Sequence, residues 1–249
     1  MRLFSLQYTR RLSDGVFLYT LLASSLLFLH IRINSYNYKE NSMNKYIVEF
    51  IGTFFLVLVV GMTVIEPGAG MFAPLAIGST LMIMVYAGGA ISGGHYNPAV
   101  TLGVWMRGKC DTKDVFPYMV MQVIGAALAV LVIGFQKGNP VLTSMTHNVT
   151  KSLLNEFLFT FALVYVVLNV ATSKKSAGNS YFGLAIGFTV VIGAFAGGGI
   201  SGGAYNPAVA TGITMMGLSS FSDIWIYLVG NFAGGAVAAV VYKTVNPDE

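Results

Sequence analysis

A single cysteine among 249 residues, Cys110, excludes an intrachain disulfide and any site built from several thiolates. Three histidines, His30, His95 and His147, stand far apart and form no metal-ligand spacing. Charge is equally scarce. Only 10% of residues are charged, against about a quarter in an ordinary soluble domain. The net charge of +4 comes from basic residues placed singly or in small groups at the ends of apolar runs. No basic stripe with interleaved aromatics appears, so nucleic acid is not an expected partner. The glycine-rich stretches lack the Lys-Ser/Thr or strand–turn–helix context of a phosphate or dinucleotide loop, and no cofactor is expected.

What is abundant is apolar side chain, at 55% of the sequence. Six segments are long enough to cross a hydrocarbon core, which takes about 20 residues of helix. They are Tyr46–Ile65, Phe72–Ala90, Val115–Phe135, Leu153–Ala171, Tyr181–Ala196 and Ile224–Val241. Residues 1–42 stand apart as an N-terminal extension. Within it, Gly15–Ile31 reads as a seventh span, a cleavable signal, or an accessory segment preceding a start at Met43. The last reading is favoured.

The remaining chain repeats. "ISGGHYNPAVT" (91–101) and "ISGGAYNPAVAT" (200–211) place Asn97 and Asn206 109 positions apart. The same offset pairs "QVIGAALA" from Gln122 with "NFAGGAVA" from Asn231, and an offset of 107 pairs "EFIGTF" from Glu49 with "EFLFTF" from Glu156. Three matched segments and the phrase, all in one order, indicate a duplicated unit. The units are read as 43–138 and 139–249. Each holds three spans, so the second enters the membrane inverted, and the two phrases approach from opposite faces.

In hydrocarbon every backbone N–H and C=O needs a partner, and irregular chain survives only inside protein or along a wet cavity. The Gly pairs break the helix. Asn97 and Asn206 then suit N-cap positions, followed by Pro98 and Pro207 at the favoured first helical position. Two helix starts, positive ends of their dipoles, would meet at mid-membrane. Lys45, Arg107, Lys109, Lys113, Lys174, Lys175 and Lys243 fall on one side of a six-span topology, with Lys137 and Lys151 opposite. That bias puts both ends of the six-span body in the cytoplasm.

With two "NPA" phrases and a Glu early in spans one and four, residues 43–245 resemble the aquaporin or major intrinsic protein family. The resemblance implies an all-α membrane fold of six transmembrane helices and two re-entrant half-helices, in a homotetramer with one pore per subunit. It implies a passive channel for water and small neutral solutes in the cell membrane, amid lipid, with a pore centred on Asn97, Pro98, Ala99, Asn206, Pro207 and Ala208. It makes His95 pore-adjacent, and Glu49 and Glu156 acceptors for the two loops. The residues alone leave a second reading of those acids, as helix-start carboxylates facing water. Counting along the family pattern puts the selectivity filter at Ile77, Ala194, Gly203 and Val209. Most members carry Arg where this chain has Val209, so a wider and more apolar constriction is expected.

Two rival readings compete. A secondary transporter also uses inverted repeats, but needs ionisable groups on its path. "GISG" at 199–202 imitates a serine nucleophile motif, yet the serine recurs at Ser92, and no enzyme is expected. N-terminal sequencing of the protein made from its own promoter should find a start at Met43. A start at Met1 with Gly15–Ile31 retained would contradict that expectation.

Overall fold

The computed structural model describes residues 42–249, and Gly15–Ile31 lies outside the described residues. The chain forms α1 (Ser42–Val64), α2 (Ala73–Ser92), α3 (Pro98–Met106), α4 (Thr112–Lys137), α5 (Val149–Val167), α6 (Phe182–Ser201), α7 (Pro207–Met215) and α8 (Ile224–Val245). Six of these are long and apolar enough to span a membrane: α1, α2, α4, α5, α6 and α8. The other two, α3 and α7, have nine residues each. At about 1.5 Å per residue they reach roughly 14 Å, half a crossing.

Polarity is distributed inside-out. Glu49, Gln122, Glu156, Ser201 and Asn231 are fully buried, while Phe135 is 88% and Leu131 68% exposed. Such an apolar exterior is stable only against lipid. Polar groups are retained inside because hydrocarbon offers them no other partner.

The Gly pairs end both helices, as the sequence indicates: α2, an apolar run to Ala90, continues to Ser92 and stops at Gly93–Gly94, and α6, an apolar run to Ala196, continues through Gly197, Gly198 and Gly199 to Ser201 and stops at Gly202–Gly203. Glycine weakens a helix in water by exposing backbone. Inside a bundle the helical bonds persist, because nothing else would satisfy those groups. Small size is also required there. A Cβ on Gly197 would lie 2.4 Å from the Tyr205 hydroxyl, and one on Gly88, its counterpart in the first repeat, 2.0 Å from that of Tyr96. Helix ends only where left-handed backbone is adopted, at Gly93 (φ +89°) and Gly202 (φ +87°).

The repeats meet about a two-fold axis, and contacts between equivalent residues reveal it. A Cβ on Gly78 would lie 2.6 Å from the Gly187 carbonyl, and one on Gly187 2.5 Å from the Gly78 carbonyl, so α2 and α6 cross backbone to backbone. Within each repeat a second glycine allows the same approach. Gly125 of α4 abuts the Phe50 carbonyl of α1, and Gly234 of α8 abuts the Phe157 carbonyl of α5, each at 2.5 Å from the position of a Cβ. The half-helices cross between repeats: Gly103 of α3 faces Val164 of α5, and Gly212 of α7 faces Val57 of α1. Neither repeat completes its own core.

Ion pairs gather the chain segments at one face. Lys45 lies 3.8 Å from Asp114, and Arg107, 5.0 Å over the Tyr242 ring, lies 3.2 Å from Glu249. The Lys174 amide and the Ser173 hydroxyl also donate to the Glu249 carboxylate and, with Arg107, hold its pKa down to about 2. Lys137, at the opposite face, caps the Ile65 carbonyl at 2.8 Å.

Gly78→Val should lower stability by about 1–3 kcal/mol, the usual cost of overpacking. Gly199→Ala, where a Cβ meets nothing within 4 Å, should leave it unchanged or raise it by up to about 1 kcal/mol. Thermal unfolding in detergent distinguishes the two, and equal effects would contradict the close crossing.

Candidate functional site

Each half-helix starts at an asparagine whose backbone is extended and whose side chain caps the helix. Asn97 Oδ1 accepts from the amides of Ala99 (2.8 Å) and Val100 (3.4 Å), and Asn206 Oδ1 from those of Ala208 (2.9 Å) and Val209 (3.4 Å). Pro98 and Pro207 occupy the first helical position, where a missing N–H costs nothing. With Oδ1 committed to its own helix, each amide nitrogen reaches the other repeat. Asn97 Nδ2 donates to the Tyr205 carbonyl at 2.9 Å, and Asn206 Nδ2 to the Tyr96 carbonyl at 2.8 Å. The two helix starts therefore touch, stitched by a reciprocal pair of bonds.

This junction requires unfavourable backbone. Tyr96 (φ +48°) and Tyr205 (φ +49°) are left-handed, a conformation costing a bulky residue roughly 1–3 kcal/mol. Three bonds hold Tyr96: its amide to Glu49 Oε2 (2.6 Å), its carbonyl from Asn206, and its hydroxyl to the Met84 carbonyl (2.9 Å). Tyr205 repeats the set through Glu156 Oε2 (2.7 Å), Asn97 and the Gly193 carbonyl (2.8 Å).

Both acids are completely buried and turned toward the loops. Glu49 Oε1 accepts from the Ser92 hydroxyl (2.6 Å) and the His95 amide (2.9 Å), and Oε2 also accepts from Gln122 (2.8 Å). Glu156 Oε1 accepts from the Ser201 hydroxyl (2.6 Å) and the Ala204 amide (3.0 Å). A carboxylate suits this position because it is acceptor-only and offers about four lone-pair sites to converging donors.

A cavity of about 390 Å3 runs past the junction. Asn97 and Asn206 line it, as do Ile77, Ala194, Gly203 and Val209 toward the face opposite the ion pairs. Gly94 and His95 line it on the other side of the asparagines; Glu49 and Glu156 do not line it. Among the described residues no backbone amide bonds the carbonyls of Gly93, Gly94 or His95, nor those of residues 202–204. His95 Nδ1 sits 3.1 Å from Thr101 Oγ1, and its ring lies edge-on to Tyr118. Gly203 has φ +68°, matched by Gly94 at +64°. Glycine at that lining position is thus demanded by the backbone in both repeats.

Several supporting residues escaped the sequence reading. Tyr118 and Tyr227 donate their hydroxyls to the Ser92 and Ser201 carbonyls (2.8 and 2.7 Å), fixing where each loop departs. They stand 109 positions apart, so the repeat offset could have found them. Asn155, which donates to Ser201 Oγ at 2.7 Å, has an apolar counterpart, Val48, and left no such signal. Thr143 and Met145, from the linker between repeats, also line the cavity.

The sequence profile described as "Major intrinsic protein" matches residues 75–242. The chain belongs to the major intrinsic protein family. It is 35% identical over 208 residues to Aquaporin NIP1-4 of Oryza sativa subsp. japonica, a match covering 80% of this chain and 76% of that relative. Glycerol uptake facilitator protein-like 6 of Lactiplantibacillus plantarum is 32% identical over 217 residues, 83% of this chain and 100% of the relative. In fold the chain resembles the X-ray structure of the aquaglyceroporin from Plasmodium falciparum, with a TM-score of 0.70 over 83% of this chain and 98% of the other, at 22% identity. As a member of the major intrinsic protein family the chain is an integral, multi-pass membrane protein.

Glu49→Ala would leave the Ser92 hydroxyl and the His95 and Tyr96 amides without an acceptor, and Gln122 Nε2 with only Thr101 Oγ1, at about 1–3 kcal/mol for each buried donor left unpaired. The protein should fail to accumulate as a monodisperse species in size-exclusion chromatography, with Glu49→Gln intermediate. Glu49→Ala protein that melts like the wild type would contradict the bracing role.

Proposed function

We propose that the chain is a passive channel for water and small neutral solutes, such as glycerol, urea or ammonia, and that it refuses protons and ions. The observation that carries this reading is the reciprocal asparagine junction. Each Asn amide nitrogen has two hydrogens; the opposite repeat takes one, leaving the other for the cavity. A water at the centre meets two donors and two positive helix ends. Its oxygen turns toward them. Its hydrogens then point away on both sides, toward the unbonded carbonyls of residues 93–95 and 202–204. A continuous donor-to-acceptor wire across the junction is thereby interrupted, and a cation meets the same positive ends.

Ile77, Ala194, Gly203 and Val209 form the selectivity filter in this reading, with Asn97, Pro98, Ala99, Asn206, Pro207 and Ala208 as the central constriction and His95 beside it. None of the four filter side chains can hydrogen-bond. The filter discriminates by width and by the carbonyls of its glycine wall, which suits hydroxyl- and amine-bearing neutral solutes as well as water. The names of the relatives, an aquaporin and a glycerol uptake facilitator, support both substrate classes.

A coupled transporter is less well supported, because both membrane-embedded acids spend their lone pairs on the loops and stand off the cavity. A hydrolytic reading of Ser201 fares no better. Its one hydroxyl hydrogen goes to Glu156, and among the described residues no histidine meets it. The repeats are assigned to 43–138 and 139–249, with the face carrying Lys45, Arg107 and Lys174 in the cytoplasm of a plasma-membrane homotetramer.

Stopped-flow measurements on proteoliposomes test the proposal. Water and glycerol fluxes should rise linearly with gradient, with low activation energy and no proton leak; saturable, ion-dependent uptake would overturn it. Val209→Arg adds bulk and charge to the filter, and glycerol flux should fall severalfold relative to water. An unchanged ratio would mean that the filter lies elsewhere.

A further inference from the structure

The second repeat has Ala204 where the first has His95, yet an imidazole still stands beside its tyrosine. His95 lies edge-on to Tyr118 with 5.2 Å between ring centroids. His147, from the linker between the repeats, lies edge-on to Tyr227 at 5.6 Å. Tyr118 and Tyr227 are equivalent residues that hold equivalent serine carbonyls. The linker thus supplies the ring that the second loop lacks.

Hydrogen accounting defines what His147 does there. Ser152 gives its hydroxyl hydrogen to the Ile200 carbonyl (3.0 Å), and Tyr227 gives its own to the Ser201 carbonyl (2.7 Å). Neither has one left for the imidazole. A ring that donates from Nδ1 serves Ser152 Oγ (3.2 Å) and leaves Nε2 to accept from Ser219 Oγ (3.2 Å), with Tyr227 Oη also 3.2 Å from Nε2. His147 so ties the linker to the start of α5, to the turn after α7 and, through its edge-on contact with Tyr227, to α8. Two further bonds run alongside: Ser144 Oγ to the Gly217 carbonyl (2.9 Å) and the Met145 amide to the Leu218 carbonyl (3.0 Å). Held by these ties, Thr143 and Met145 line the cavity. Met145 Sδ comes within 3.9 Å of the point a Cβ on Gly202 would occupy. The Thr143 hydroxyl takes no part in the ties.

We propose that Thr143 and Met145 are a fifth wall of the constriction, held in place by His147 as a positioning residue, and that this wall sets which neutral solutes enter. The inference rests on the channel reading above. With Ile77, Ala194, Gly203 and Val209 offering apolar surfaces, the linker segment that shares the cavity with them, beside Gly202, fixes the remaining width. Thr143 adds a hydroxyl that those four positions lack.

Met145→Cys provides the test, with wild-type protein as its control. Cys110, the sole native thiol, lies between α3 and α4 at the other face, and burial first, then the nearby carboxylates, push its pKa up to about 11. It therefore reacts sluggishly. A bulky, membrane-impermeant methanethiosulfonate added on both sides of proteoliposomes should block glycerol flux through the variant and slow water less, while sparing the wild type. His147→Ala, releasing the linker, should raise the glycerol-to-water ratio severalfold, and His147→Asn, which keeps a donor for Ser152, should restore most of it. Wild-type vesicles no more permeable than protein-free ones would overturn the channel reading itself. A permeable wild type, together with Met145→Cys protein shown by mass spectrometry to be fully modified yet conducting normally, would overturn the wall alone.

Discussion

Everything in this molecule depends on two hydrogen bonds that each half makes for the other. Asn97 and Asn206 cap their own helices with one end of the side chain and bond the opposite repeat's carbonyl with the other. Helix starts carry like partial charges and would not meet unassisted. The amide side chain resolves this, since it accepts on one side and donates on the other. The loops feeding the junction are then obliged to pass through left-handed tyrosines, and these require the buried acids.

The acids explain the order of stability around the site. A carboxylate in a bundle core is expensive unless every lone pair is used. Glu49 and Glu156 are surrounded by hydroxyl, amide and side-chain donors from the loops, so the site and the fold stabilise one another. The same arrangement keeps their charge away from the cavity. The acids hold the conduit in shape and leave its wall free of carboxylates.

Symmetry also clarifies what was legible in the sequence. The duplicated phrase, the offsets of 109 and 107 and the apolar run lengths were enough to give the fold class, because membrane crossing fixes helix length and an odd number of spans fixes inversion. The residues alone left the acids' partners open, since a glutamate near a helix start also suits facing water; the family resemblance pointed to the loops, and burial separates the two readings. The Gly pairs marked where α2 and α6 end, while the apolar run of α6 stops short at Ala196 because Gly197–Gly199 adds no apolar side chain, although the helix continues there. The linker was opaque for a simpler reason. Thr143, Met145 and His147 have no counterpart in the other repeat, and periodicity says nothing about residues that occur once.

That contrast extends to specificity. The repeated residues build a conduit, and the unrepeated ones differentiate its two ends: His95 against Ala204, and the linker lining only one mouth. Whether the conduit exists at all is decided at its centre. Magic-angle-spinning NMR in lipid bilayers, with 15N in the asparagine side chains and 13C in the tyrosine carbonyls, measures that contact directly. Strong dipolar dephasing between Asn97 Nδ2 and the Tyr205 carbonyl carbon, and between Asn206 Nδ2 and that of Tyr96, is the predicted result. Absence of both couplings in folded protein would contradict the account.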